Sequence, residues 1–273
     1  MDITDKQFDF CLLIPCYNNF KGLILSLKSV VYHPNRFIVV VVDDGSAVPV
    51  TLEAIKSEIE INYPLIIIRN EKNRGITDAL NNGLSWIKEN GKTKYIARLD
   101  CGDLCDSNRF YKQVDYLDSH PDTGLLGSWC MFEDKKSSFW YQYTTPTDHE
   151  QIKKAMYFRN VFIHPTVIFK TSLLNKAGFY PNEFMHAEDF AFFWKLIKIT
   201  HSHILNEFLV TCELNKEGIS LKNRQDQLSS RSRVVALYGT NSLFKIGGML
   251  RIKALSIVPK QLLLRLRKLI NRQ

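Results

Sequence analysis

Residues 37–42 read Phe-Ile-Val-Val-Val-Val, six apolar residues without a polar interruption, and two aspartates, Asp43 and Asp44, follow at once. An unbroken β-branched run has neither the two-residue alternation of a half-wet strand nor the 3.6-residue alternation of a surface helix. It fits a strand covered on both faces, the usual state of strands in a parallel sheet between two helical layers. "FDFCLLIP" (8–15) repeats the pattern, and "PLIIIRN", "KYIARLD" and "TGLLGSW" are further candidates. Between them Ile76, Leu80, Gly83, Leu84 and Ile87 recur at helical spacing, as do Phe110, Val114 and Leu117. Strand and helix in alternation predict an α/β fold with a mainly parallel sheet.

The chain has 273 residues, enough for one catalytic domain with an appendage. The run at 37–42 is far short of the roughly 20 apolar residues that span a bilayer, so no transmembrane segment is expected. The first ten residues, "MDITDKQFDF", are partly acidic and lack the apolar stretch of a secretory leader, which predicts a cytoplasmic protein. Six scattered cysteines form no CxxC pair and no zinc-spaced cluster with histidine; buried or free thiols are expected.

The net charge of +8 is concentrated at one end. After Asp226 there are ten lysines and arginines and no acidic residue. From Pro259 onward, "PKQLLLRLRKLINRQ" sets Leu262, Leu263, Leu266, Leu269 and Ile270 on one helical arc and Arg265, Arg267, Lys268 and Arg272 on the other, with Leu264 as the exception. Such a helix suits an anionic membrane surface; the alternative is a helix packed on the domain with a solvated basic face. No RNA-binding signature or interleaved aromatics accompany the charge, so no nucleic-acid partner is expected.

Three polar motifs stand where strands stop: "PCYNN" (15–19), "DDGS" (43–46) and "DCGD" (100–103). In open α/β sheets ligands bind beyond the carboxyl ends of the strands, so three such loops on one edge mark a site. A pair of carboxylates at a strand end can hold Mg²⁺ or Mn²⁺ together with a substrate phosphate, and equally it can be a glycine turn with solvated aspartates. Asp44 to Ser46 can likewise be a capping turn or a polar contact for a nucleobase or ribose. Further on, Glu188 and Asp189 open a helix whose apolar face is Phe190, Phe193, Trp194 and Ile197, where the helix dipole favours negative charge. A helix near 151–158, a strand at 164–170 and an edge hairpin around 130–150 complete the expected middle of the chain.

"IPCYNN", "VVVVDDGS", "NRGITDALNNGL", "ARLDCGD", "HPTVIF" and "AEDFAFFWKL", in this order, resemble the family 2 glycosyltransferases with the GT-A fold, especially enzymes of bacterial surface-polysaccharide assembly. The resemblance covers roughly residues 8–215. It implies a GT-A domain over 1–215, with a nucleotide-binding part to about 130 and an acceptor-binding part from 131, followed by a helical basic extension over 216–273. It implies an inverting transfer from a nucleotide-sugar donor, UDP-linked, to a glycan or lipid-linked acceptor, with the protein peripheral on the cytosolic face of the inner membrane. By the same resemblance Pro15, Tyr17 and Asn18 would lie by the nucleotide, Asp44 would receive the uracil edge, and Asp43 would shape that loop. Asn73, Arg74 and Gly75 would approach the nucleoside and phosphates, with Arg98 and Asp100 near the diphosphate. Asp189, with Glu188 beside it, would be the general base.

The chain departs from the family at one place. Where a second aspartate of the DxD motif is usual stands Gly102, and the next acidic residue is Asp103. Asp100 and Asp103 are the expected metal ligands; otherwise Asp100 and water suffice, or metal dependence is reduced. The competing functions are a non-catalytic sugar-nucleotide-binding subunit, against which the "HAEDF" segment argues, and a sugar-nucleotidyltransferase, whose glycine-rich arginine loop is missing after the first strand. A dehydrogenase is disfavoured because no GxGxxG follows a strand. His164 and His186 flank the acceptor-side segments, with His164 expected to be structural.

Overall fold

A computed structural model describes residues 6–135, 137, 139–214 and 223–258. The chain opens as an alternation of β1 (Phe8–Cys16), α1 (Phe20–Lys28), β2 (Phe37–Asp43), α2 (Leu52–Glu58), β3 (Leu65–Arg69), α3 (Ile76–Asn90) and β4 (Thr93–Arg98). It continues with β5 (Leu104–Cys105), α4 (Arg109–Ser119), the hairpin β6 (Thr123–Asp134) and β7 (Phe139–Tyr143), α5 (His149–Met156) and β8 (Ile168–Lys170). Last come α6 (Leu174–Ala177), α7 (Glu188–Ile197), β9 (His201–Glu213) and two further helices, α8 (Arg224–Tyr238) and α9 (Ser242–Ile257).

The sheet runs β3-β2-β1-β4-β8-β6-β9-β5, with β7 paired to β6. Its first half is parallel, and so is the β6–β9 pair, while β8, β5 and β7 join antiparallel. This is the α/β architecture with flanking helices that the alternating strand and helix patterns predict. The valine run explains the layering, because successive side chains of a strand point to opposite faces. Val39 and Val41 join Leu12, Leu23, Leu27 and Phe110 on one side. Val40 and Val42 join Leu13, Leu80, Leu84 and Phe193 on the other. Gly83 lets α3 lie close on the second face: a Cβ there would meet the Leu13 methyl and come within 3.0 Å of Val42 Cγ2.

Two element expectations need correction. The segment 164–170 is not one strand: His164–Thr166 is a 3₁₀ turn and only Ile168–Lys170 is extended. Pro165 has no N–H to give a ladder, and the turn aims the His164 side chain inward instead. The helix expected near 151 begins at His149, because Asp148 accepts from Gln151 N at 3.0 Å and caps it. The 130–143 hairpin is present, pairing Cys130 with Tyr143. All six cysteines are unpaired, four of them buried. Among the described residues no helix is long and apolar enough to cross a membrane. The amphipathic tail from Pro259 lies outside the described residues.

Candidate functional site

β1, β2 and β4 are parallel and end at Cys16, Asp43 and Arg98, so the three polar loops emerge on one edge. They are laced together. Asn18, in the left-handed region at φ 50°, donates its backbone N–H to Ser46 Oγ at 2.9 Å and accepts from Ala47 N on Oδ1 at 2.9 Å. Asn19 caps α1 through Gly22 N and donates to Cys101 O at 3.1 Å. The Cys101 thiol donates to Pro15 O at 3.2 Å. Ser26 Oγ lies within 3.1 Å of Asp100 O, donates to Asp103 O at 2.8 Å and accepts from Gly102 N. Tyr17 projects from this bed, 49% exposed.

The adjacent aspartates divide their work. Asp43 is fully buried and accepts from Ser46 N, Val50 N and the Arg69 guanidinium. Those donors outweigh burial and hold its carboxyl below the usual range. It shapes the loop and reaches no solvent. Asp44 faces the next connection: Oδ1 accepts from Asn70 Nδ2 at 2.7 Å and Arg74 N at 3.0 Å, and Oδ2 accepts from Gly75 N at 2.8 Å. Helix α3 has no side-chain cap of its own, and Asp44 takes the backbone N–H groups of Arg74 and of the N-cap Gly75 just ahead of it. Asn73 Oδ1 also accepts from Gly75 N, while the exposed Arg74 side chain pairs with Asp78 at 3.1 Å. A carboxylate offers about four acceptor positions. Three of those on Asp44 are taken, which leaves one acceptor position on Oδ2 of a residue only 3% exposed.

Arg98 is fully enclosed beneath the rim and reaches it only through Asp100, whose Oδ1 accepts from Arg98 Nη2 at 2.7 Å. The same guanidinium donates to Leu13 O and, at 3.3 Å, to His164 Nε2, which lies 2.8 Å from Tyr180 Oη. Burial and the neighbouring cation push His164 well below its usual pKa, so it is neutral with Nε2 free to accept. Tyr180 is in turn clamped by Asn81 of α3, which accepts from Tyr180 N at 2.9 Å and donates to Tyr180 O at 2.8 Å. A continuous set of polar contacts therefore runs from the α3 layer to Asp100. His186 lies outside it.

Asp103 is buried beside the end of β9. Its Oδ1 accepts from Glu213 N at 2.9 Å, and burial, with Asp100 and Glu213 nearby, raises its pKa to about 8. Gly102 has φ +104°, which a side chain tolerates poorly, and a Cβ there would come within 2.8 Å of Glu213 Oε2. The Glu213 carboxylate, from the end of β9, thus hangs over the turn near the place a second motif aspartate would occupy. Sequence reasoning missed it, because nothing near residue 213 signals the link to residue 102. Lys135 lies 3.8 Å from that oxygen. Among the described residues the other oxygen of Asp100 accepts nothing, and no three histidine, cysteine or acidic side chains already converge to hold a cation. Hard carboxylate oxygens with room beside them still fit Mg²⁺ or Mn²⁺, which commonly take their other ligands from water and substrate phosphate.

Glu188 and Asp189 occupy the first turn of α7. Asp189 Oδ2 accepts from Asn160 Nδ2 at 2.9 Å and Oδ1 from Phe190 N at 2.6 Å. Burial, opposed by these donors and by Arg231, leaves its pKa at about 6. Burial and the Asp189 charge lift Glu188 to about 7, and its Oε2 is enclosed without a hydrogen-bond partner. Asp100 pushes in the same direction on both. Asp100, Glu188 and Asp189 therefore share one electrostatic neighbourhood, while Asp44 stands apart from it at the α3 end of the same rim.

The glycosyl transferase family 2 model matches residues 11–179. The chain is 29% identical over 197 residues to the amylovoran biosynthesis glycosyltransferase AmsE of Erwinia amylovora, covering 70% of this chain and 71% of that one. It is 30% identical over 149 residues to the UDP-Gal:alpha-D-GlcNAc-diphosphoundecaprenol beta-1,3-galactosyltransferase of Escherichia coli, covering 54% and 52%. Among solved structures, S. aureus TarS 1–349 in complex with UDP-GlcNAc aligns with a TM-score of 0.67 at 18% identity, over 89% of this chain and 70% of that one. The Pyrobaculum calidifontis mannosyltransferase PcManGT with GDP-Man and Mn²⁺ aligns at 0.62 and 18%, over 92% and 70%. These two structures share the GT-A fold with this chain.

Proposed function

The chain belongs to glycosyl transferase family 2, and from that premise we propose that it transfers a sugar, with inversion, from a UDP-linked donor to a lipid-linked glycan in surface-polysaccharide assembly. What carries the reading is the Asp100 turn at the carboxyl edge of the parallel strands, with Glu188 and Asp189 at the head of α7 close enough to feel its charge. The names of the AmsE and galactosyltransferase relatives support a polysaccharide product and a lipid-diphosphate acceptor.

In this reading residues 1–130 hold the nucleotide, 131–215 the acceptor, and 216–273 form an extension. The uracil N3–H donates to the open position on Asp44 Oδ2, with Pro15, Tyr17, Asn18, Asn73, Arg74 and Gly75 around the nucleoside and Asp43 bracing the loop. Arg98 braces Asp100 and points it at the diphosphate. Asp100, with Asp103 or Glu213 beside it, would hold the divalent cation, which offsets negative charge on the leaving diphosphate. Asp189 accepts the proton of the acceptor hydroxyl as that oxygen bonds to sugar C1, and the C1–O bond breaks with its electron pair leaving on the UDP oxygen. A single displacement inverts C1. Glu188, lifted further than Asp189, to about 7 against about 6, leaves Asp189 the first of the pair to ionise.

Peripheral membrane contact has its own support. On α9 Leu243, Ile246, Leu250 and Ile257 are exposed, with Lys245, Arg251 and Lys253 beside them.

The test is UDP release from a panel of UDP-sugars with Mn²⁺ and a lipid-diphosphate acceptor, comparing wild type with Asp189→Asn. Release by wild type and its loss in the variant support the reading. UDP binding with no turnover of any donor reduces the protein to a sugar-nucleotide-binding subunit.

A further inference from the structure

Helix α8 lies beyond the stretch that the family model matches and packs on α7. From it Arg231 reaches the neighbourhood of Asp189. Its guanidinium carbon sits 5.4 Å from the centre of the Phe190 ring, a cation–π distance that fixes the side chain beside the base. Its Nε is enclosed and has no hydrogen-bond partner. An arginine keeps its charge in nearly any protein setting, so an enclosed N–H without an acceptor costs stability unless a ligand completes it.

The charges around it narrow the ligand. Arg231 and Asp189 influence each other, which places them within a distance that solvent and salt do not screen out, yet among the described residues they form no ion pair. Arg251 of α9 adds a second positive charge near Arg231. Arg159 contributes a third on the same wall, with its guanidinium 5.5 Å from the ring of Tyr143, which neighbours Arg231. A single carboxylate is already available in Asp189 and does not close onto the arginine. A cluster of cations around an unpaired Nε–H suits a group carrying more than one negative charge.

We propose that Arg231 binds the diphosphate of the acceptor, within one sugar of the hydroxyl that Asp189 deprotonates. This rests on the glycosyl-transfer reading above. It means that the chain acts on a short acceptor, one whose reacting hydroxyl is on the sugar attached to its diphosphate, and that α8 completes the acceptor side of the site.

The experiment is calorimetric titration of the full chain, pre-saturated with UDP and Mn²⁺, with decyl diphosphate and, separately, with decanoate. Wild type binds decyl diphosphate, Arg231→Gln binds it at least tenfold more weakly, and Arg231→Lys falls between; decanoate binds poorly to all three. UDP affinity and melting temperature stay close to wild type in both variants, which separates lost contact from lost fold. Equal diphosphate affinity in wild type and Arg231→Gln overturns the proposal, as does decanoate binding as tightly as the diphosphate. UDP binding with no diphosphate binding overturns the proposal alone, whereas failure of UDP itself to bind removes the glycosyl-transfer reading as well.

Discussion

Asn160 donates its side-chain amide to Oδ2 of Asp189 at 2.9 Å, fixing one oxygen of the carboxylate at the head of α7 while Phe190 N holds the other. A carboxylate held by two donors keeps its orientation in a buried place. Asp189→Asn keeps the shape and removes the basicity. It should lower kcat by about 10²- to 10⁴-fold with UDP affinity little changed, as measured by UDP release and by titration with UDP.

Activity should fall on acidification through about pH 6. The Asp189 pKa is raised to about 6, and only the ionised form accepts a proton, so kcat rises with pH through that value and then levels. Arg231 opposes the rise, so Arg231→Gln should move the acid limb to higher pH. A kcat profile over pH 5–8 reads both.

Asp44 makes three hydrogen bonds to the Asn70, Arg74 and Gly75 groups. Asp44→Ala leaves the Arg74 N–H and the Asn70 amide without their acceptor and Gly75 N–H with Asn73 Oδ1 alone, at about 1–3 kcal/mol. The expected result is about 10- to 100-fold weaker UDP binding together with a lower melting temperature.

Gly102 explains why the usual second motif aspartate cannot simply be restored. At φ +104°, with Glu213 Oε2 2.8 Å from where a Cβ would lie, Gly102→Asp adds backbone strain of about 1–3 kcal/mol and pushes two carboxylates together. The variant should melt lower and gain no affinity for Mn²⁺.

Metal removal offers a complementary check. Chelation should weaken UDP-sugar binding, and Asp100→Ala should abolish the Mn²⁺ dependence; Glu213→Gln should reduce Mn²⁺ affinity while UDP binding without metal is unchanged. Titrations of UDP with and without Mn²⁺ separate these effects.

The parallel half of the sheet was legible because valines at 39–42 and apolar residues at 10–14 can only be buried on both faces. The three polar loops were legible because each closes such a run. What escaped sequence reading depended on distant contacts. Asp43 and Asp44 are buried neighbours with the same side chain, and only Arg69 on β3 and the 74–75 turn decide which braces its own loop and which reaches across to the start of α3. The 3₁₀ turn at His164 follows from Arg98 and Tyr180, 66 residues before it and 16 after it. Glu213 and Arg231 carried no motif at all. Their places follow from β9 ending beside the Gly102 turn and from α8 lying on α7.

The most direct test of the account is an anomalous difference map from crystals of the full chain grown with Mn²⁺ and UDP. One strong manganese peak beside Asp100, bridged to the UDP diphosphate, with uracil against Asp44 and Asp189 across the same cleft, is the predicted result. A nucleotide bound elsewhere, or a diphosphate remote from Asp100, contradicts it.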